Sequence, residues 1–293
     1  MVAACYDSMT TGPGTELKID IGFIYFRTLT LDHLDAAWFS LSQQDLSRVG
    51  RVLFLDNNTN DAPAHIHQVL DRYPLPVPVA FESDKHGDPH RTHSWSVNHL
   101  ARTVSAPLFF FTRADYILDA DCLHQFYDER IGAEQPSFVT SFAYHMAYDD
   151  RGDQRIDAFR DIEVHRWRER GAAVLLDEVN GWRVDSSHLD AGVWLLDISE
   201  FNRAGGLNEQ LSAWGYQQTV FQKTLRDQGT PVRCLPQFLY FHQHHAAPRS
   251  YDLARAELAR HWGTVEDLAT FRPSVTQFTG SVCDELDRRR PRD

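Results

Sequence analysis

The chain has 293 residues, of which 42% are hydrophobic and 24% charged, proportions that are ordinary for a globular protein with a substantial core. Its 29 basic and 41 acidic side chains give a formal net charge of −12, which argues against a nucleic-acid-binding function because such proteins need a basic face. No segment approaches the ~20 consecutive apolar residues of a membrane span.

The cysteines and the N-terminal segment bear on the compartment. The four cysteines are far apart and form no CxxC pair, so the sequence predicts neither a disulfide framework nor a cysteine zinc site. Residues 1–16 lack a positively charged start and a long apolar run, so they predict a loose leader and not a signal peptide. These features favour a cytoplasmic protein with reduced thiols.

Strands and helices alternate along the first half of the sequence. Apolar, β-branched and aromatic stretches at residues 18–26, 51–56, 77–81 and 107–112 predict four strands. Between them, apolar residues recur at helical spacing. This alternation predicts an α/β fold with a mostly parallel central sheet and helices on both faces.

The second half of the sequence is less regular. A polar, tryptophan-rich excursion at residues 145–189 precedes a predicted strand at 191–198 and a helix at 217–229. A strand-like segment then ends in a histidine cluster, and the sequence after residue 250 predicts a helical tail. No repeat or low-complexity linker marks a boundary, so a single domain is predicted over residues 1–293.

Three common nucleotide-binding and hydrolase motifs are absent from the sequence. No GxGxxG follows the first strand, which disfavours a dinucleotide-binding Rossmann domain, and no GxxxxGK[ST] marks a P-loop. No GxSxG occurs either, which disfavours a hydrolase with a nucleophile elbow.

The order of four other motifs resembles family 2 glycosyltransferases and their relatives with the GT-A fold. LFLDNNTND at residues 53–61 resembles their VDNGSTD segment, and LFFFTRADYILDADCL at 108–123 resembles LFLDADD. DAGVWLLDISEFNRAGGLNEQ at 190–210 resembles GGNMAFRR followed by GGFDE, and WGYQQ at 214–218 resembles WGxED. The resemblance covers about residues 19–245. It implies a Rossmann-like GT-A domain with a nucleotide-sugar-binding half at about 18–130, an acceptor-binding half at 131–245 and a C-terminal helical tail at 250–293.

The resemblance also implies residues that bind a nucleoside-diphosphate sugar. Asp56 is expected to hydrogen-bond the base or ribose; alternatively, Asp56 forms an Asx-type turn with Asn57 and Asn58. Arg91 lies in a loop where relatives place a donor-binding segment, although an exposed arginine is the other interpretation. The predicted donor-binding residues are Asp56, Asn58, Arg91, Arg113 and Asp115.

In these relatives an Asp-x-Asp segment holds Mg²⁺ or Mn²⁺, ions that prefer oxygen ligands and neutralise charge on the leaving diphosphate. Here the segment is Arg113-Ala114-Asp115, so a cation replaces the first carboxylate and Asp115 remains at the metal-contacting position. Arg113 is expected to contact a phosphate or to point to solvent. His242 and His244 share one face if the strand continues, and they are the other predicted metal ligands; a solvated histidine-rich loop is the alternative.

The catalytic base of inverting relatives is a carboxylate in the WGxED helix. This sequence has Gln217 and Gln218 there, and neither can act as a base. Either Asp190 or Glu209 serves as the base, or the enzyme is retaining, or the protein binds a sugar nucleotide without turnover. Gln217, Gln218 and Trp214 are expected on the acceptor side, where Trp214 stacks on a sugar ring or packs in the core.

The resemblance therefore implies a hexosyltransferase-like glycosyltransferase. It would move a sugar from a nucleoside-diphosphate sugar to a hydroxyl of a small-molecule or glycan acceptor, with inversion and the help of Mg²⁺ or Mn²⁺. One rival is a non-catalytic sugar-nucleotide-binding protein of the same fold. A nucleotidyltransferase is disfavoured because the segment after the first strand lacks a glycine-rich loop.

Overall fold

The computed structural model describes residues 17–26, 28–57, 60–84, 92–145, 192–212, 216–243, 251–263 and 274–275. The strands are β1 (Ile19–Phe26), β2 (Val49–Asn57), β3 (Val79–Asp84), β4 (Leu108–Arg113), β5 (Tyr116–Leu118), β6 (Phe138–His145), β7 (Trp194–Asp197), β8 (Val232–His242) and β9 (Ser274–Val275). The helices are α1 (Leu31–Ser42), α2 (Pro63–Arg72), α3 (His93–Thr103), α4 (Cys122–Gly132), α5 (Ile198–Arg203), α6 (Gln217–Asp227) and α7 (Tyr251–His261).

All nine of these strands belong to one sheet, with the order β3-β2-β1-β4-β7-β6-β8-β5 and β9 beside β8. Strands β1 to β4 are mutually parallel wherever they pair. Strand β7 runs antiparallel to both β4 and β6, and β5 runs antiparallel to β8. The sheet is therefore mostly parallel, as the alternation of strands and helices predicts.

The core lies in two layers because successive residues of a strand face opposite sides of a sheet. Phe54 and Phe110 pack against α1, α2 and α4 on one side. Leu55 and Phe111 pack against α3, α5 and α6 on the other. Helices therefore cover both faces, which confirms the predicted fold class.

Short-range signals explain several helix ends. The hydroxyl of Thr92 accepts a 3.3 Å hydrogen bond from the backbone N–H of Trp95 at the start of α3. Gly229 follows α6 with a φ of +87°, a conformation that favours glycine and ends the helix. The predicted helical tail includes α7, whose Leu258 packs against Val220 of α6, but Ser274–Val275 within the same range form the strand β9 and not a helix.

The short strand β5 has no counterpart among the predicted elements, because three residues are too few for a periodic pattern. No helix among the described residues is long and apolar enough to cross a membrane. The division of the chain into donor-binding and acceptor-binding halves stays a prediction.

Candidate functional site

Strands β1 to β4 end at one edge of the sheet, the carboxyl edge. Asp56 of β2 pairs in register with Tyr25 of β1 on one side and with Ser83 of β3 on the other. Arg113, at the end of β4, pairs with Ile24. Ligands of open α/β sheets bind beyond this edge, which makes it the candidate site.

Asp56 is fully buried at the end of β2. Its Oδ2 accepts a 2.8 Å hydrogen bond from the hydroxyl of Ser83, and such a bond offsets part of the cost of burying a carboxylate. Asp56 and Asn57 are the last two residues of β2, and Asn58, the third residue of the alternative Asx-type turn, lies outside the described residues. An ionised carboxylate only accepts hydrogen bonds, so Asp56 suits the N–H groups of a base or the hydroxyls of a ribose.

Tyr25 links β1 to the segment that follows β2. Its hydroxyl donates a 2.5 Å hydrogen bond to Oδ2 of Asp61. Burial, this hydrogen bond and the charges of Asp61, Asp56 and Asp32 raise the pKa of Tyr25 well above its ordinary value. The phenol therefore stays protonated and acts as a donor. The sequence does not single out Tyr25, since an aromatic residue in an apolar strand is typical of a core.

Asn57 connects the carboxyl edge to α3. Its Nδ2 donates a 2.6 Å hydrogen bond to the hydroxyl of Ser96. Its Oδ1 is buried and has no hydrogen-bond partner among the described residues. A buried carbonyl oxygen without a partner is costly, so this edge holds unused hydrogen-bonding capacity for a ligand.

The second group at this edge is the Arg113 cluster, which consists of Arg113, Asp115, Tyr116 and His242. Nη2 of Arg113 lies 3.0 Å from Oδ2 of Asp115 and donates a 2.6 Å hydrogen bond to the hydroxyl of Tyr116. Nε2 of His242 lies 3.1 Å from the same Asp115 oxygen. Arg113 is only 4% exposed and Asp115 is fully buried, so Arg113 does not point to solvent.

Backbone pairing holds this cluster in place. Strand β5 pairs with β8 so that Tyr116 lies opposite His242. The N–H of Gln243 donates a 2.7 Å hydrogen bond to the carbonyl of Asp115, and its Nε2 donates one of 3.0 Å to the carbonyl of Ala114. The turn between β4 and β5 is therefore fixed from the β8 side.

Tyr116 also brings the segment before β7 to the cluster. A Cβ on Gly192 would lie 2.1 Å from the Tyr116 hydroxyl oxygen, a separation that only glycine permits. Gly192 follows the candidate base Asp190 by two residues. Gly192 is therefore next to Tyr116 of the Arg113 cluster.

The described residues do not fit the divalent ion that the resemblance implies. Asp115 and His242, two predicted ligands, do come together, but the shared Asp115 oxygen faces the guanidinium of Arg113. No group of three or more His, Cys, Asp or Glu side chains within the described ranges could hold a metal ion. Mg²⁺ and Mn²⁺ need several oxygen ligands and are repelled by a neighbouring cation.

The two glutamines of the predicted acceptor side are engaged differently. Gln217 is buried, and its Nε2 donates a 3.1 Å hydrogen bond to the carbonyl of Leu211. Nε2 of Gln218 lies 2.9 Å from Nε2 of His93, the first residue of α3. Since α3 begins at the carboxyl edge, Gln218 and His93 are near the candidate site and Gln217 supports the preceding loop.

Glu209 lies beside the middle and last turn of α3. Its Oε1 accepts a 2.8 Å hydrogen bond from Nδ2 of Asn98 and lies 4.0 Å from Nη1 of Arg102. The helix runs away from the carboxyl edge, and the nine steps along α3 from His93 to Arg102 span roughly 13 Å. Glu209 therefore lies away from the start of α3 and the carboxyl edge. Five predicted site residues lie outside the described residues: Asn58, Arg91, Asp190, Trp214 and His244.

Comparisons with solved structures identify the fold. The chain is similar to a mannosyltransferase, PcManGT, from Pyrobaculum calidifontis, solved in complex with GDP-Man and Mn²⁺, with a TM-score of 0.55 and 12% identity over 85% of this chain and 63% of that one. It is also similar to TarS from S. aureus, with a TM-score of 0.52 and 12% identity over 83% of this chain and 39% of that one. A TarS structure limited to residues 1–349 gives the same score and identity and is covered to 65%.

These structures show the fold alone, because their identity to this chain is low. The chain has a GT-A-like glycosyltransferase fold and spans less than two thirds of each of these three structures. No protein-family model matches the sequence, and no curated protein matches it.

Proposed function

We propose that the chain is a glycosyltransferase that transfers a sugar from a nucleoside-diphosphate sugar to a hydroxyl group of an acceptor. The observation that carries the proposal is the position of Asp56 and Arg113 at the carboxyl edge of a sheet with a glycosyltransferase fold. They lie on β2 and β4 with only β1 between, so their Cα atoms are roughly 10 Å apart. A nucleoside and its diphosphate can span such a separation.

Each end of the donor has a chemically suitable partner. The Asp56 carboxylate, oriented by Ser83, accepts hydrogen bonds from the base or ribose. The guanidinium of Arg113 suits the diphosphate because arginine presents several N–H donors in one plane. We expect Asn58 and Arg91 to contribute to the same donor-binding set.

The acceptor is expected on the side of α6 and the segment before β7. Gln218, which contacts His93, can hydrogen-bond acceptor hydroxyls, and Trp214 offers a ring for stacking on a sugar. For an inverting reaction, Asp190 is the favoured base, supported by the contact of Gly192 with Tyr116. Metal assistance is the part of the prediction that the described residues support least, because the Asp115 oxygen lies against Arg113 and His242.

A non-catalytic sugar-nucleotide-binding protein is the second candidate. Gln217 and Gln218 favour it, since neither can deprotonate a hydroxyl. The donor-binding residues are common to both candidates, so binding alone does not separate them.

Product release tests the proposal. The purified 293-residue chain is incubated with GDP-mannose, UDP-sugars and dTDP-sugars and a panel of hydroxyl acceptors, and nucleoside diphosphate is quantified. We expect release with at least one donor, its loss in Asp56→Asn and its retention in Asp71→Asn, which changes an exposed carboxylate on α2. Donor binding without release from any acceptor would support the non-catalytic alternative.

A further inference from the structure

The Arg113 cluster is not a suitable binding site for the divalent ion that the resemblance implies. The oxygen that would face an ion, Oδ2 of Asp115, lies 3.0 Å from Arg113 Nη2 and 3.1 Å from His242 Nε2. An ion bound to that oxygen at about 2.1 Å would lie next to the guanidinium charge. Such a contact between cations is unfavourable, and more so in a buried site.

The formal charges at this position balance without a metal. A pair of carboxylates with one divalent ion sums to zero, and so does one guanidinium with one carboxylate. Adding a divalent ion to the Arg113–Asp115 pair would leave a surplus of two positive charges in a site where both side chains are buried. The replacement of the first carboxylate by arginine thus supplies the charge that an ion would bring.

The guanidinium is also held in a fixed position. Its central carbon lies 4.7 Å from the ring centroid of Tyr116 and 5.7 Å from that of Phe26. The hydroxyl of Tyr116 and the carboxylate of Asp115 both contact Nη2. A desolvated, oriented guanidinium binds phosphate oxygens with little loss of side-chain freedom.

We infer that Arg113 takes the place of the divalent ion, so that its guanidinium binds the diphosphate and donor binding needs no metal. This inference rests on the proposed function, because it presupposes a nucleoside-diphosphate sugar at the carboxyl edge. Asp115 is then a positioning residue for Arg113, and His242 supports Asp115 from β8.

The first test uses Mn²⁺ alone. Electron paramagnetic resonance measures the concentration of free Mn²⁺ in the presence of each of three proteins. They are wild type, the variant Arg113→Asp, which restores the Asp-x-Asp spacing, and the control variant Arg260→Asp, which makes the same change on the exposed side of α7. We expect Arg113→Asp to bind Mn²⁺ and to melt at a higher temperature when Mn²⁺ is present, whereas the other two proteins show neither effect. If wild type binds Mn²⁺ and the Asp115→Asn variant does not, the inference is wrong.

The second test measures binding of UDP, GDP and dTDP by calorimetry in EDTA and in Mn²⁺. For wild type, the Kd of the nucleotide that binds best should change less than about threefold between the two buffers, and Arg113→Met should weaken binding at least about tenfold in both. If wild type binds the nucleotide only when Mn²⁺ is present, the inference is wrong but the proposed function is unaffected. Absence of binding in both buffers overturns the proposed function together with the inference.

A double variant without either charge serves as the control for effects on folding. Arg113→Met leaves the buried carboxylate of Asp115 without its guanidinium and lowers stability. The double variant Arg113→Met with Asp115→Asn removes both charges, so we expect it to melt near wild type and still to lose nucleotide binding. Nucleotide binding by a folded double variant at wild-type affinity would contradict the role of Arg113.

Discussion

The hydroxyl of Tyr25 donates a 2.5 Å hydrogen bond to Oδ2 of Asp61, which joins the end of β1 to the segment after β2. This bond lies beside Asp56, the residue expected to hold the nucleoside. Burial and the neighbouring carboxylates raise the pKa of Tyr25, so this link persists across the physiological pH range.

Tyr25 should make the folding free energy depend on alkaline pH. Its pKa is raised in the folded state and is about 10 in the unfolded chain. The stabilisation is therefore fully present below about pH 10 and is lost as the pH rises further, at about 1.4 kcal/mol per pH unit. Urea unfolding at pH 8 and pH 11 should show a smaller alkaline loss for Tyr25→Phe than for wild type; equal losses would contradict this role.

Ser83→Ala should weaken donor binding without unfolding the protein. The change removes the 2.8 Å hydrogen bond that orients the Asp56 carboxylate, a loss of about 1 kcal/mol, or roughly fivefold in Kd. Calorimetry with the best-bound nucleoside diphosphate measures the effect. Ser42→Ala is the matched control, because it removes a hydroxyl that is hydrogen-bonded within α1. An equal loss of affinity in Ser42→Ala would contradict a specific role of Ser83 in donor binding.

Gly192→Ala should disturb the Arg113 cluster. The new Cβ would lie 2.1 Å from the hydroxyl oxygen of Tyr116, and overpacking of this kind costs about 1 to 3 kcal/mol. Thermal unfolding should show the loss, together with weaker nucleotide binding. Gly132→Ala is the control, because a Cβ there meets nothing within 4 Å; comparable melting temperatures for the two variants would show that Gly192 is not constrained.

The choice of base can be tested by comparing two carboxylates. Asp190→Asn should lower kcat by about 100-fold or more, the usual contribution of a general base. Glu209→Gln should have a much smaller effect, because its oxygen can still accept the hydrogen bond from Asn98 on the side of α3. Turnover assays of both variants decide the matter, and a larger loss in Glu209→Gln would reverse the assignment.

Much of the fold follows from local patterns in the sequence. The apolar run that ends in Phe111 predicts a strand buried on both faces, and Phe110 and Phe111 indeed pack in different layers. Trp194 lies in the core, stacked with its ring centroid 5.1 Å from that of Phe111. Its placement depends on the antiparallel pairing of β7 with β4, which no local pattern encodes.

The geometry of the candidate site depends on contacts between distant residues. Asp115 and His242 are 127 residues apart and meet because β5 pairs with β8. Gln218 and His93 are 125 residues apart. The sequence identifies Arg113 and Asp115 as departures from a motif, but it contains no local signal that they form an ion pair buried against Tyr116.

The most direct test of the central claim is a structure of the 293-residue chain with a bound nucleoside-diphosphate sugar, obtained in the presence of Mn²⁺. The account predicts that the base or ribose hydrogen-bonds Asp56 and that the diphosphate contacts the guanidinium of Arg113 with no ion between them. A nucleotide bound away from the carboxyl edge, or a Mn²⁺ ion held between Asp115 and the diphosphate, would contradict it.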